Sequence, residues 1–148
     1  MKKYLLAAGV ALVSLFFMAT HSQAHCEIPC GIYDDEVRIQ LILENITTIE
    51  RSMQQIIEIE KKDPQQSNQL IRWVMNKEKH ADKLQEIVSQ YFLTQRLKPS
   101  AKKYSQQLTL LHQMLITAMK CKQSTDLSHG LELRDLTSQF KALYLDSK

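Results

Sequence analysis

Residues 39–56 read IQLILENITTIERSMQQI. Its apolar side chains Ile39, Ile42, Ile46, Ile49, Met53 and Ile56 recur alternately three and four positions apart. That spacing lays one stripe along an α-helix, because residues three and four apart lie on the same face. Glu, Gln, Thr and Arg fill the other positions and can meet water. The pattern therefore predicts a long amphipathic helix ending near Lys62, where Asp63-Pro64 interrupts it. A helix with one greasy face needs other such faces to cover it.

Three further stripes are available downstream. The segment from Asn68 to about Leu93 places Ile71, Val74, Ala81, Leu84, Val88 and Tyr91 inward. Lys98-Pro99-Ser100 breaks the chain and offers a helix start, since Pro suits a first turn and Ser can cap it. The third stripe is Tyr104, Leu108, Leu111, Leu115 and Ala118. The fourth follows Ser124-Thr125-Asp126 and uses Leu133, Leu136, Phe140 and Leu143. No stretch alternates with period two over a useful length, so strands are not expected. Four helices joined by short polar connections imply an all-α, antiparallel up-down four-helix bundle spanning residues 34–148.

The beginning of the chain has a different character. Lys2-Lys3 form a positive start, Tyr4 to Ala19 an apolar run, and Ser22-Gln23-Ala24 a cleavage site with small residues at its first and last positions. Residues 1–24 read as a removable export signal, too short for a comfortable membrane span. No membrane association is expected after cleavage, and the mature protein is expected to be periplasmic or secreted. Without Lys2 and Lys3 the 19 basic side chains fall to 17, against 16 acidic ones. That balance excludes a polyanion-binding surface, and nucleic acid is no expected partner.

Cleavage after Ala24 makes His25 the first residue and releases its α-amine. Residues 25–33, HCEIPCGIY, then offer an amine and an imidazole from His25 and thiolates from Cys26 and Cys30. The backbone amide of Cys26, once deprotonated, adds another nitrogen. Amine, amidate and thiolate of adjacent residues form fused chelate rings that lie in one plane, which suits Ni(II) or Cu(II) better than tetrahedral Zn(II). Pro29 and Gly31 are suited to a tight turn that folds Cys30 back on Cys26. Two other readings stand beside this one. The cysteines can close a disulfide in an oxidising compartment, in an exported metal-binding or chaperone protein without catalysis. Alternatively, amine and imidazole can bind copper, although adjacent thiolates argue against that chemistry.

The run HCEIPCGIY resembles the hook of the nickel superoxide dismutases, His-Cys-x-x-Pro-Cys-Gly-x-Tyr at the mature N-terminus. Every fixed position is matched. EVRIQLILENITTIERSMQQI (36–56) and VSQYFLTQRLKP (88–99) are similar to that family's first two helices. The resemblance implies a four-helix bundle carrying an N-terminal metal-binding hook, with one nickel ion per chain cycling between Ni(II) and Ni(III). It implies that superoxide is the substrate and that a homohexamer is the assembly. His25, Cys26 and Cys30 would be the metal ligands, and Tyr33 would stand over the open face of the site, ordering water and admitting small anions. Pro29 would shape the hook. Two positions depart from the pattern: the glutamate expected to hold the His25 imidazole is replaced by Gln40, and its arginine partner falls at His80.

The remaining candidates carry less. His112 and His129 are isolated and read as surface or structural histidines, Trp73 as packing. No Glu-x-x-His pairs of a di-iron bundle are present. Cys121 makes the cysteine count odd, and no role is assigned to it.

Overall fold

In the computed structural model the described residues are 34–62 and 66–146. The first helix, α1, covers Asp35–Lys62. Asp34 precedes it and accepts a hydrogen bond from the Glu36 amide at 2.8 Å. Asp35 and Glu36 put negative charge in the first turn, where the helix dipole favours it. All six side chains of the opening stripe are buried, none more than 2% exposed.

The second helix, α2, runs from Ser67 to Glu86 and continues as a π-helical segment over Ile87–Arg96. A turn through Lys98, Pro99 and Ser100 follows, with Ala101 N donating to Lys98 O at 2.9 Å. Helix α3 occupies Tyr104–Gln123 and α4 Leu127–Leu145. The third helix thus starts after the predicted Pro-Ser site: Lys103 is its cap residue, and Ser100 lies in the turn before it. Asp126 caps α4 by accepting from the Ser128 amide at 2.9 Å. The packing joins α1 to α2, α2 to α3, α3 to α4 and α4 back to α1. This is the closed ring of an up-down four-helix bundle, as the periodicity requires. No described helix is long and apolar enough to cross a membrane.

The inward faces of α2, α3 and α4 are each turned slightly from the predicted stripe. Ile71, Val74 and Leu108 are exposed, at 56%, 38% and 38%. Tyr104, Leu115 and Leu143 are only half-buried. Buried in their stead are Lys77 on α2, Gln107 and Met114 on α3, and Tyr144 on α4. Three of these, Lys77, Gln107 and Tyr144, carry polar groups into the bundle. The Lys77 ammonium reaches carbonyl oxygens at the end of α3, and the Tyr144 hydroxyl reaches Asp35. A hydrophobic stripe alone cannot register such positions, because their burial depends on what their tips meet. At the centre Phe92 meets Tyr91, Phe140 and Tyr144 edge-on, with ring centroids 5.0–5.6 Å apart.

Candidate metal centre

The predicted ligands His25, Cys26 and Cys30, together with Tyr33, lie outside the described residues, as does the cleavage site. The structure does describe the end of the bundle onto which they lead. Chain enters at Asp34, and the next residue, Asp35, is 3% exposed. One carboxylate oxygen of Asp35 accepts from the Tyr91 hydroxyl at 2.6 Å and from Arg96 Nε at 2.8 Å. The other accepts from the Tyr144 hydroxyl at 3.0 Å. Arg96 Nε also lies 3.2 Å from the Tyr91 oxygen. Burial first, and then the bond to Asp35, push both tyrosine hydroxyls above their ordinary range. Both phenols are therefore neutral donors, which an acceptor-only carboxylate requires.

The π-helical segment explains this convergence. In an α-helix, residues five apart are rotated by about 140°. The wider turn of a π-helix brings i and i+5 into line. Tyr91 and Arg96 are five apart and reach the same oxygen; Leu97 N donates to Phe92 O, and Thr94 Oγ1 to Ser89 O, with the same interval.

Beside this cluster a cleft of about 410 Å3 opens between α1 and α2, lined by Arg38, Leu41, Glu44, Asn45, Thr48, His80, Lys83, Glu86, Ile87, Gln90 and Tyr91. Two basic and two acidic side chains oppose each other across it, so no strong field of either sign is built there. Within it His80 Nδ1 lies 2.8 Å from Asn45 Oδ1. Asn45 Nδ2 donates to Leu41 O at 2.8 Å, which leaves Oδ1 as the acceptor. A neutral His80 then carries its hydrogen on Nδ1 and has Nε2 as its acceptor nitrogen. Burial, followed by the charges of Lys83 and Lys79, holds its pKa below the ordinary histidine value. Tyr91 lines the cleft and also binds Asp35, so the cleft wall and the start of α1 share one side chain.

Gln40 and His80, the two positions that depart from the family pattern, do not meet in this geometry. Gln40 is exposed, and the partner of His80 is Asn45, further along α1 and on its inner side. Sequence reasoning missed Asn45, Asp35 and Arg96. A capping-type acid and an ordinary Asn on a polar face give no signal of their own, and the π-turn has no local signature. His112 is exposed, and His129 lies 3.9 Å from Glu132, consistent with surface roles. Cys121 is fully buried and its thiol is pushed up to about 11, chiefly by burial. Among the described residues no three His, Cys, Asp or Glu side chains are grouped so that they could hold a metal ion.

The family model for nickel-containing superoxide dismutase matches residues 20–148. The chain belongs to this family. It is accordingly an oxidoreductase acting on superoxide, with nickel as its cofactor. Among solved structures the chain is similar to native nickel superoxide dismutase, with 23% identity and a TM-score of 0.66. That match covers 84% of this chain and 100% of the other. It is also similar to a single-substitution variant of nickel superoxide dismutase, at 22% identity and a TM-score of 0.68, covering 82% of this chain and 97% of that one. At these identities the likeness speaks for the bundle fold. No curated protein matches the chain.

Proposed function

We propose that the nickel of this enzyme is held by His25, Cys26 and Cys30, on a mature chain whose first residue is His25. The observation that carries this reading is the reach of the family match, which starts at residue 20 and so includes HCEIPCGIY. The donor set supports it as well. An α-amine, an amidate, an imidazole and two thiolates fit a nickel ion that must change oxidation state, because thiolate and amidate donation stabilises the higher one. When bound, nickel supplies a one-electron acceptor and donor, Ni(III) and Ni(II).

The overall reaction consumes two superoxide ions and two protons and yields one dioxygen and one hydrogen peroxide. One superoxide gives up an electron and leaves as dioxygen; another takes one up with both protons. In this reading Tyr33 orders water at the reacting site and limits entry to small anions. The neutral His80, fixed by Asn45, forms part of the polar wall of the cleft that Arg38 and Tyr91 also line. The enzyme is exported, periplasmic or secreted, and is loaded with nickel outside the cytoplasm. Its assembly is a homohexamer; exposed apolar side chains such as Ile71, Met75 and Leu131 supply surface for subunit contacts.

The test begins with mass spectrometry of the mature N-terminus and metal analysis of the purified protein. A chain starting at His25, about one nickel per chain and cyanide-resistant dismutation of superoxide are expected. Copper in its place, or an intact Cys26–Cys30 disulfide in the active form, would overturn the assignment. One extra residue ahead of His25 removes only the α-amine, and should abolish activity while leaving the helical bundle folded.

A further inference from the structure

We propose that the Asp35–Tyr91–Arg96–Tyr144 cluster is a positioning clamp that sets where the N-terminal segment enters the bundle relative to the His80 cleft. This rests on the reading that the preceding residues 25–33 hold the metal. An acid in the first turn of a helix is served well enough by water and the helix dipole. Asp35 has instead been buried and surrounded by donors from two other elements, Tyr91 and Arg96 of the π-helical segment and Tyr144 of α4.

Two features show that this arrangement is specific. First, Tyr91 and Arg96 converge on one oxygen because Ile87–Arg96 leaves α-helical geometry, a departure that is frequent at functional sites. Second, the cluster continues into the cleft. The Tyr91 ring has the guanidiniums of both Arg38 and Arg96 within 5.2 Å of its centroid, and Arg38 and Tyr91 are cleft-lining residues. Asp35 thus ties the first turn of α1 to an aromatic ring that lines the same cleft as His80. Movement of residue 34 relative to the cleft would require parting a carboxylate from three donors at once. Asp35 and Tyr144 act here as positioning residues, not as groups that touch substrate.

The experiment compares the full mature chain with its Tyr144→Phe and Asp35→Asn variants. Tyr144→Phe removes one hydroxyl, changes no charge and leaves the cleft lining intact, so it carries the test if Asp35→Asn does not fold. In the metal-free proteins, amide hydrogen exchange over residues 36–40 should quicken about tenfold, the scale of one hydrogen bond to a charged group. Exchange within Tyr104–Gln123 should not change. Equal exchange at 36–40 in wild type and variants overturns the clamp.

With nickel, the variants should show an apparent dissociation constant raised about tenfold, and an altered electron paramagnetic resonance spectrum of the oxidised form. Faster exchange with unaltered nickel affinity and spectrum would make the cluster a mere helix anchor and overturn its positioning role. A wild-type chain that takes up no nickel overturns the metal assignment; the exchange result then still decides whether the cluster holds the start of α1.

Discussion

The ammonium of Lys77, on α2, donates to the carbonyl oxygen of Cys121 at 2.8 Å, and its neighbours Lys122 O and Ser124 O accept from the same nitrogen. Lys77 is 4% exposed. The last carbonyls of any helix lack intrahelical partners, and a cation near them also meets the negative end of the dipole. A lysine from the neighbouring helix therefore closes the end of α3.

Lys77→Met keeps the aliphatic stem but removes all three donations. It is expected to lower stability by about 2 kcal/mol, the range for hydrogen bonds to a charged group. Urea unfolding should show an earlier midpoint with an unaltered slope. A midpoint within error of wild type would mean that water closes the helix end equally well.

His80 gives folding a pH dependence of known sign. Its pKa is lowered in the folded chain, by burial first and then by Lys83 and Lys79. The unfolded chain therefore binds more protons as pH falls through about 6.5, the ordinary histidine value. Stability conferred by neutral His80 is complete above that pH and declines below it until the folded pKa is passed. The difference between wild type and His80→Gln, followed by urea unfolding from pH 7.5 to 5, should show this decline. A pH-independent difference would place the imidazole in water.

Cys121 should be inert in the folded protein. Burial keeps solvent reagents away, and a thiol pushed up to about 11 holds almost no thiolate at neutral pH. A disulfide-exchange reagent should leave it unmodified until denaturant is added. Rapid labelling under native conditions would show that the end of α3 opens readily.

Cys30→Ser should separate metal from fold. A serine hydroxyl is a far poorer donor to a soft, oxidisable centre, so nickel and dismutation are both expected to be lost. The core of the described bundle is built from side chains of its four helices, and far-ultraviolet circular dichroism should remain that of wild type. A folded variant retaining one nickel and full activity would remove Cys30 from the ligand set.

How much of this was legible beforehand varies along the chain. The α1 stripe was readable residue by residue, because its six apolar positions keep the three-and-four spacing without a break and all of them are buried. On α2 the same rule turned the helix the wrong way at its start, choosing Ile71 and Val74 where Lys77 lies inside. Lys77 is buried through carbonyls some forty-five residues away, and no local pattern announces such a partner. The π-helical segment escaped for a related reason: hydrophobic periodicity places Tyr91 inward in either helix type, and i+5 contacts such as those of Arg96 with Tyr91 and Leu97 with Phe92 tell them apart. At the metal centre the situation is reversed. The proposed donors His25, Cys26 and Cys30 lie close together in sequence and their chemistry is read directly, whereas Asn45, the partner of His80, required the packing of α1 on α2 to be seen.

The hydrogen bond from Tyr144 to Asp35 spans 109 positions of sequence, so the carboxylate at the head of α1 receives this donor only from the fourth helix. On the ribosome the emerging chain cannot close this end of the bundle until its fourth helix has been made. Until α4 has been made the polypeptide is thus left without the tie that finishes this end of the bundle.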